Sequence, residues 1–200
     1  MKPLRFGPLT DRTVHLCVDM QNLFALDTPW HTPWMARVLP VVTRIAEHHP
    51  AQTVFTRFIP PDRPDQMPGS WQRDYERWRD LTRERIDPEL LELAAPLRAL
   101  APPADVIDKR IYSPFLEPGL PALLRRRGAE SLVITGAETD VCVLATVLGA
   151  VNLGYRVVIA VDALCSSSDE THDALLTLYR RRFGQQIEAV DSETIMATWH

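Results

Sequence analysis

Three residues set far apart in the chain carry side chains that could cooperate in chemistry: Asp19, Lys109 and Cys142. Asp19 closes the run His15–Asp19, Lys109 closes Asp105–Lys109, and Cys142 follows Ser131–Thr135 through Gly136-Ala137-Glu138-Thr139-Asp140. A carboxylate so placed can take the proton of a thiol and later return it to a leaving amine. An ammonium can hold a thiolate and fix the charge state of the carboxylate. A thiol where a strand gives way to a helix can attack a carbonyl, and the positive end of the helix lowers its pKa. Singly, each has a plainer reading as a helix cap, a solvent-facing charge or a small core residue. As a set they point to covalent hydrolysis at a carbonyl.

The elements that must gather these side chains are short β-branched runs alternating with helical periodicity. Strands are expected at His15–Asp19, Thr53–Phe58, Asp105–Lys109, Ser131–Thr135, Arg156–Val161 and Glu188–Val190. Helices are expected near Pro33–His48, Pro88–Leu100, Leu116–Arg127, Thr139–Leu153 and Asp169–Phe183, with a short one near the C-terminus. Ser167 and Glu170 have capping-box spacing before the last long helix. The alternation, with near-continuous apolar strands, implies an α/β fold whose mostly parallel sheet is covered on both faces. In such sheets, sites form at the carboxyl ends of the strands. Those ends also offer Asp108 and Asp162, whereas His48, His49 and His172 end no strand, so a Ser-His-Asp or Cys-His set is harder to build.

At 200 residues the chain is about one domain, 1–200, with no internal repeat and no low-complexity linker. A net charge of -4 gives no reason to expect nucleic acid or an anionic membrane as partner. The runs Arg125–Arg127 and Arg180–Arg182 each precede a glycine at the end of a helical segment, where cations complement the dipole. The N-terminal stretch lacks the apolar core of a signal peptide, and no apolar run of ~20 residues occurs. Cys17 and Cys165 sit in apolar or small-residue surroundings as buried thiols, and the chain reads as cytoplasmic and reduced.

The irregular segment is Ile59–Arg85, rich in proline, charge and tryptophan, and directly after the second expected strand. Trp71, Tyr75 and Trp78 recur at helical spacing, so part of it should be a short helix. Two readings stand: a cover that packs its aromatics on the core, or a lid or subunit contact that shapes a pocket.

Three stretches carry a resemblance: "VDMQNLF" at Val18–Phe24, "DKRIYSPF" at Asp108–Phe115 and "TGAETDVCV" at Thr135–Val143. In order and spacing they are similar to the signature segments of the isochorismatase-like cysteine hydrolases, and "VDALCSSSDETHDAL" at Val161–Leu175 resembles the segment that follows. The likeness covers nearly the whole chain apart from Ile59–Arg85. It implies a Rossmann-like three-layer α/β/α sandwich with a six-stranded sheet, an Asp19-Lys109-Cys142 triad, and no cofactor. It also implies a non-proline cis peptide between Ala137 and Glu138, with the backbone N–H groups of Glu138 and Cys142 as an oxyanion hole. Gln21, Phe24, Tyr112 and Phe115 match pocket positions of the family, and Trp71 and Trp78 are added as substrate contacts from the insert.

Two departures narrow the subclass that the resemblance implies. Metal-dependent nicotinamidases carry an Asp-x-His pair after the second strand, where this chain has Phe58-Ile59-Pro60, so no metal site of that type is expected. Isochorismatase proper lacks the cysteine, so Cys142 favours C–N hydrolysis of a small amide, carbamoyl or ureido substrate. The alternatives are ether or ester hydrolysis on the same scaffold, or a non-catalytic binding protein. Family members usually self-associate, which with the aromatics of the insert implies a homo-oligomer, a dimer or tetramer.

Overall fold

A computed structural model of the chain describes residues 4–200. Its six strands are β1 (Thr13–Val18), β2 (Thr53–Phe58), β3 (Asp105–Lys109), β4 (Ser131–Ala137), β5 (Arg156–Cys165) and β6 (Ile187–Val190). They form one sheet in the order β3-β2-β1-β4-β5-β6, with every neighbouring pair parallel. Every side chain of the central strands β1 and β4 is buried, as continuous apolar runs covered on both faces require. The edge strand β3 instead alternates between half-buried and exposed side chains until Lys109, which is fully buried.

The helices are α1 (Asn22–Ala25), α2 (Met35–His48), α3 (Gly69–Arg77), α4 (Ala95–Arg98), α5 (Gly119–Arg126), α6 (Cys142–Asn152), α7 (Asp169–Arg182) and α8 (Ser192–Thr198). The strand order steps outward from β1 in one direction through β2 and from β4 in the other through β5. Right-handed crossovers therefore place α2 and α6 on opposite faces. α2 packs across β1, β4 and β5 and touches α4 and α8, while α6 packs on β4 and β5 and α7 on β6. The result is a doubly wound α/β sandwich whose order reverses between β1 and β4. That reversal opens a crevice at the carboxyl ends of the strands.

Several boundaries differ from expectation for identifiable reasons. The stretch Pro88–Leu100 is not one helix. It forms a 3-10 turn at Pro88–Leu91, an isolated antiparallel bridge between Leu93 and Gln21, and then α4. Pro96 has no N–H and its ring clashes with the preceding turn, so it stands in the first turn of a new helix. Likewise the segment expected from Leu116 starts its helix at Gly119. Glu117 precedes Pro118 and is held extended, leaving Pro114–Leu116 as a separate 3-10 turn. β5 runs four residues beyond Val161, so Asp162 lies within a strand and not at its end. Its carboxylate accepts hydrogen bonds from Ser192 N and Oγ at 2.8 and 2.7 Å, tying β5 to α8. The cap of α7 is Ser168, which accepts from Thr171 N at 3.3 Å, and the Ser167–Glu170 box does not form. Both arginine triplets do fall at helix ends, in or just after the last turns of α5 and α7. Among the described residues, no helix is long and apolar enough to cross a membrane.

Candidate active site

Asp19 directly follows β1, Lys109 is the last residue of β3, and Cys142 is the first residue of α6 after β4. The reversal of strand order brings these ends together, and the three side chains meet. Lys109 Nζ lies 2.6 Å from Asp19 Oδ2 and donates to Cys142 Sγ at 3.3 Å and to the Ile111 carbonyl at 3.2 Å. It also stands 4.7 Å from the centroid of the Phe58 ring. Lys109 is 0%, Asp19 1% and Cys142 6% exposed, so water screens none of these charges.

The aim of Asp19 is set by its backbone. Its φ of 51° puts it in the left-handed region, which aspartate tolerates better than most residues and which turns the chain sharply off β1. β2 holds the turn: Asp19 N donates to the carbonyl and hydroxyl of Thr56, both at 3.2 Å, and Thr56 Oγ1 donates to Asp19 Oδ1 at 2.6 Å. Oδ1 is thereby fixed, while Oδ2 has no hydrogen-bond partner of good geometry beside its ion pair and remains open to a proton.

Between β4 and α6 the chain needs glycine at one point. Gly136 has φ 109°, and a Cβ built there would stand 2.1 Å from the Val18 carbonyl oxygen, so no larger residue fits between β4 and the end of β1. The peptide bond from Ala137 to Glu138 is cis. The turn after it is anchored on all sides. Thr139 N and Oγ1 donate to the Cys165 carbonyl at 2.9 and 3.1 Å, and Thr139 Oγ1 hydrogen-bonds His172 Nδ1 at 2.8 Å. Asp140 accepts from Ser166 Oγ at 2.5 Å and from Thr171 Oγ1, and Glu138 Oε1 accepts from Ser167 N at 2.9 Å. The Glu138 carbonyl accepts from Val141 N and Val143 N. Among the described residues, neither the Glu138 nor the Cys142 N–H has an acceptor, and the latter is one of the orphan donors of a helix start.

The electrostatics correct one expectation. Burial pushes the Cys142 thiol up, Asp19 raises it further, and Lys109 only partly opposes them. Burial, more than the helix start, therefore sets the state of the thiol and holds its proton more tightly than water would. For Lys109, burial pulls the ammonium down, but Asp19 and Cys142 more than offset that and the net shift is upward. Lys109 thus stays charged in the apolar floor.

Over Cys142 opens a cavity of about 160 Å³. Phe24, Trp71, Trp78 and Tyr112 line it, as anticipated for a pocket wall, and so do Trp30, Phe58 and Asp74, which the sequence reading did not place there. Phe58 ends β2, so the strand-end rule could have found it; Asp74 shares the helical face of Trp71 and Trp78 on α3. Trp30 lies in the loop before α2, and nothing local marks it. Two expected contacts fall elsewhere. The Gln21 amide is committed to backbone, donating to the Phe58 and Leu91 carbonyls and accepting from Phe58 N. Phe115 lies against Gly149 of α6, where an added Cβ would come within 2.7 Å of its ring, and stacks with Tyr155 at 6.2 Å. Asp108 is also outside the site, gripped by Arg57 through two hydrogen bonds of 2.8 and 3.0 Å. A larger hollow of about 500 Å³ between α2 and α7 borders none of the three central side chains, so size alone does not mark the site. Among the described residues, no three His, Cys, Asp or Glu side chains are grouped to hold a metal.

A buried thiol, carboxylate and ammonium thus stand together at the switch point of a parallel sheet, where sites form in α/β proteins. Residues 13–191 match the Isochorismatase domain family model, and the chain belongs to that family. It is 31% identical over 183 residues to the ureidoacrylate amidohydrolase RutB of Methylorubrum extorquens, covering 81% of this chain and 72% of that protein. It is 35% identical over 79 residues to YwoC, an isochorismatase family protein of Bacillus subtilis, covering 40% of this chain and 42% of that relative, so the chain spans under half its length. In structure it is similar to a cysteine hydrolase from Pseudomonas syringae pv. phaseolicola, with a TM-score of 0.82 at 22% identity over 98% of this chain and 97% of that one. Amidohydrolases are thus among the family members it resembles.

Proposed function

We propose that the protein is a metal-independent cysteine amidohydrolase that cleaves a C–N bond of a small amide, carbamoyl or ureido substrate. The observation that carries this reading is the buried contact of Lys109 with both Asp19 and Cys142 on the floor of an aromatic cavity. In the first step Asp19 takes the thiol proton as Cys142 Sγ bonds to the carbonyl carbon. The N–H groups of Glu138 and Cys142 hold the oxyanion. The C–N bond then breaks, the nitrogen leaving with the proton from Asp19, and an acyl thioester remains on Cys142. Water attacks the thioester, giving a proton to Asp19, and the acid departs with the thiol restored. Lys109 pairs with Asp19 and steadies the sulfur as charge develops on it.

A cavity of about 160 Å³ has the space of roughly five waters, which restricts the substrate to a small molecule. Trp71 and Trp78 face the cavity, so the Ile59–Arg85 segment acts here as pocket wall. Self-association belongs to the same reading; Leu116 and Leu153, 72% and 58% exposed, are apolar surface open to it. Light scattering that gave a monomer would remove that part. The test of function is a panel of small amides, carbamoyl and ureido compounds scored for ammonia or amine, with and without a chelator. Turnover that survives chelation is expected. Loss of activity on chelation, restored by zinc or iron, would contradict the metal-independent assignment, and hydrolysis confined to esters or vinyl ethers would contradict the C–N assignment.

A further inference from the structure

The cavity over Cys142 is unevenly furnished. Among the described residues, none that line it is Lys, Arg or His, whereas two, Asp74 and Glu138, are acids. The nearest buried cation, Lys109, is already paired with Asp19. The Glu138 carboxylate is partly engaged, by Ser167 N and Thr32 Oγ1. Asp74 is different. It is half-buried on α3, between Trp71 and Trp78 in sequence, and among the described residues its carboxylate forms no ion pair and accepts no hydrogen bond. Burial raises its pKa, and Arg77 opposes this only in part. Arg77 is itself exposed and rests over the Trp78 ring at 5.1 Å. Around the carboxylate stand rings in mutual contact. Trp30 and Trp78 meet edge to face at 6.1 Å, and Trp71 and Tyr112 meet at 4.6 Å.

An unpaired carboxylate among indole rings is a poor place for an anion and a good one for a cation. Ring faces attract positive charge, and a half-buried carboxylate gains a counter-ion it otherwise lacks. A substrate carboxylate would meet two acids and no free cation. We propose that this cavity selects small amides bearing a positive charge, an ammonium or alkylammonium group, with Asp74 and the rings of Trp30, Trp71 and Trp78 as its subsite. The inference rests on the amidohydrolase reading for what is cleaved, but not for what is bound.

Two measurements separate those parts. Tetramethylammonium has no bond for the thiol to attack, and three of the five tryptophans line the cavity, so its binding can be read by tryptophan fluorescence. Saturable binding to wild type is expected, weakened about tenfold or more in Asp74→Asn and restored in Asp74→Glu. The second measurement compares kcat/KM for β-alaninamide, butanamide and succinamate, which carry an ammonium, no charge and a carboxylate. β-Alaninamide should exceed butanamide by about tenfold, with succinamate poorest, and Asp74→Asn should bring the first ratio toward one. Cation binding indifferent to Asp74→Asn, or succinamate as the preferred amide, would overturn the proposal. If none of the three amides released ammonia while tetramethylammonium still bound through Asp74, the subsite would stand and the reading that simple amides are cleaved would fall.

Discussion

The floor and the wall of the cavity are built on different principles. The floor belongs to the sheet. Asp19, Lys109 and Cys142 are buried; Asp19 follows β1, Lys109 ends β3 and Cys142 begins α6, and Thr56 of β2 and the contacts of Lys109 hold them. The wall draws Trp71, Asp74 and Trp78 from Ile59–Arg85, which forms two 3-10 turns and α3, and its other rings from elsewhere in the chain. Its ion pairs, Arg63–Asp65, Arg63–Glu84, Arg83–Asp62 and Arg85–Asp80, lie at the surface where water screens them and they contribute little. What fastens the wall is aromatic contact: Trp71 with Tyr75 and Tyr112, and both Tyr75 and Trp78 with Trp30. The three central side chains are thus held by the sheet, while part of the wall stands on a segment outside it.

If that contrast holds, the largest effect comes from unpairing the floor. Lys109→Ala leaves Asp19 buried without its cation and should cost about 3–5 kcal/mol of stability, besides abolishing turnover. Denaturant melts showing a loss below about 1 kcal/mol would mean that the pair is not integral to the floor. Damage to the wall should look different. Trp71→Ala and Trp78→Ala should raise KM about tenfold while kcat stays within about threefold, since they remove binding surface and leave the thiol in place. Equal falls in kcat for both would erase the distinction between floor and wall.

The last effect is a pH slope beneath the floor. His15 on β1 is fully buried, bonded to Thr53 Oγ1 at 3.2 Å and Thr135 Oγ1 at 2.8 Å, and burial lowers its pKa to about 3. In the unfolded chain it protonates near its ordinary value of 6.5, so below that pH the unfolded state binds the extra proton. This contribution to stability is complete above pH 6.5 and is lost as the pH falls toward 3. The slope is about 1.4 kcal/mol per pH unit. His15→Gln should flatten the slope between pH 6 and 4, read by denaturant melts; an unchanged slope would assign it to other groups.

The same division explains what the sequence revealed. β2 and β3 have the boundaries that β-branched runs marked, and the strand-end rule pointed to Asp19, Lys109 and Cys142, which the reversal of strand order brings together. Periodicity alone missed the break at Pro96 and the late start of α5, where single prolines override it. Wall contacts were partly legible. Trp71 and Trp78 stood out by composition, but Trp30 reaches the cavity through tertiary packing that leaves no local pattern, and Phe115 and Gln21 proved to serve α6 and the β2 backbone. The state of the thiol was misread for a related reason: a helix start is visible in sequence, whereas the desolvation that outweighs it depends on every element packed around Cys142.

That buried thiol is where the account is most exposed. All three cysteines are free and buried, and Cys142 is 6% exposed against 0% for Cys17 and 1% for Cys165. Only Cys142 borders the cavity that would admit substrate. The decisive measurement is rapid-quench intact-protein mass spectrometry during turnover of whichever amide releases ammonia, followed by peptide mapping. The account predicts a transient mass increase equal to the acyl group, located on Cys142 and absent in Cys142→Ala, which is itself inactive. No adduct on Cys142, together with more than a few per cent of wild-type turnover in Cys142→Ala, would contradict it.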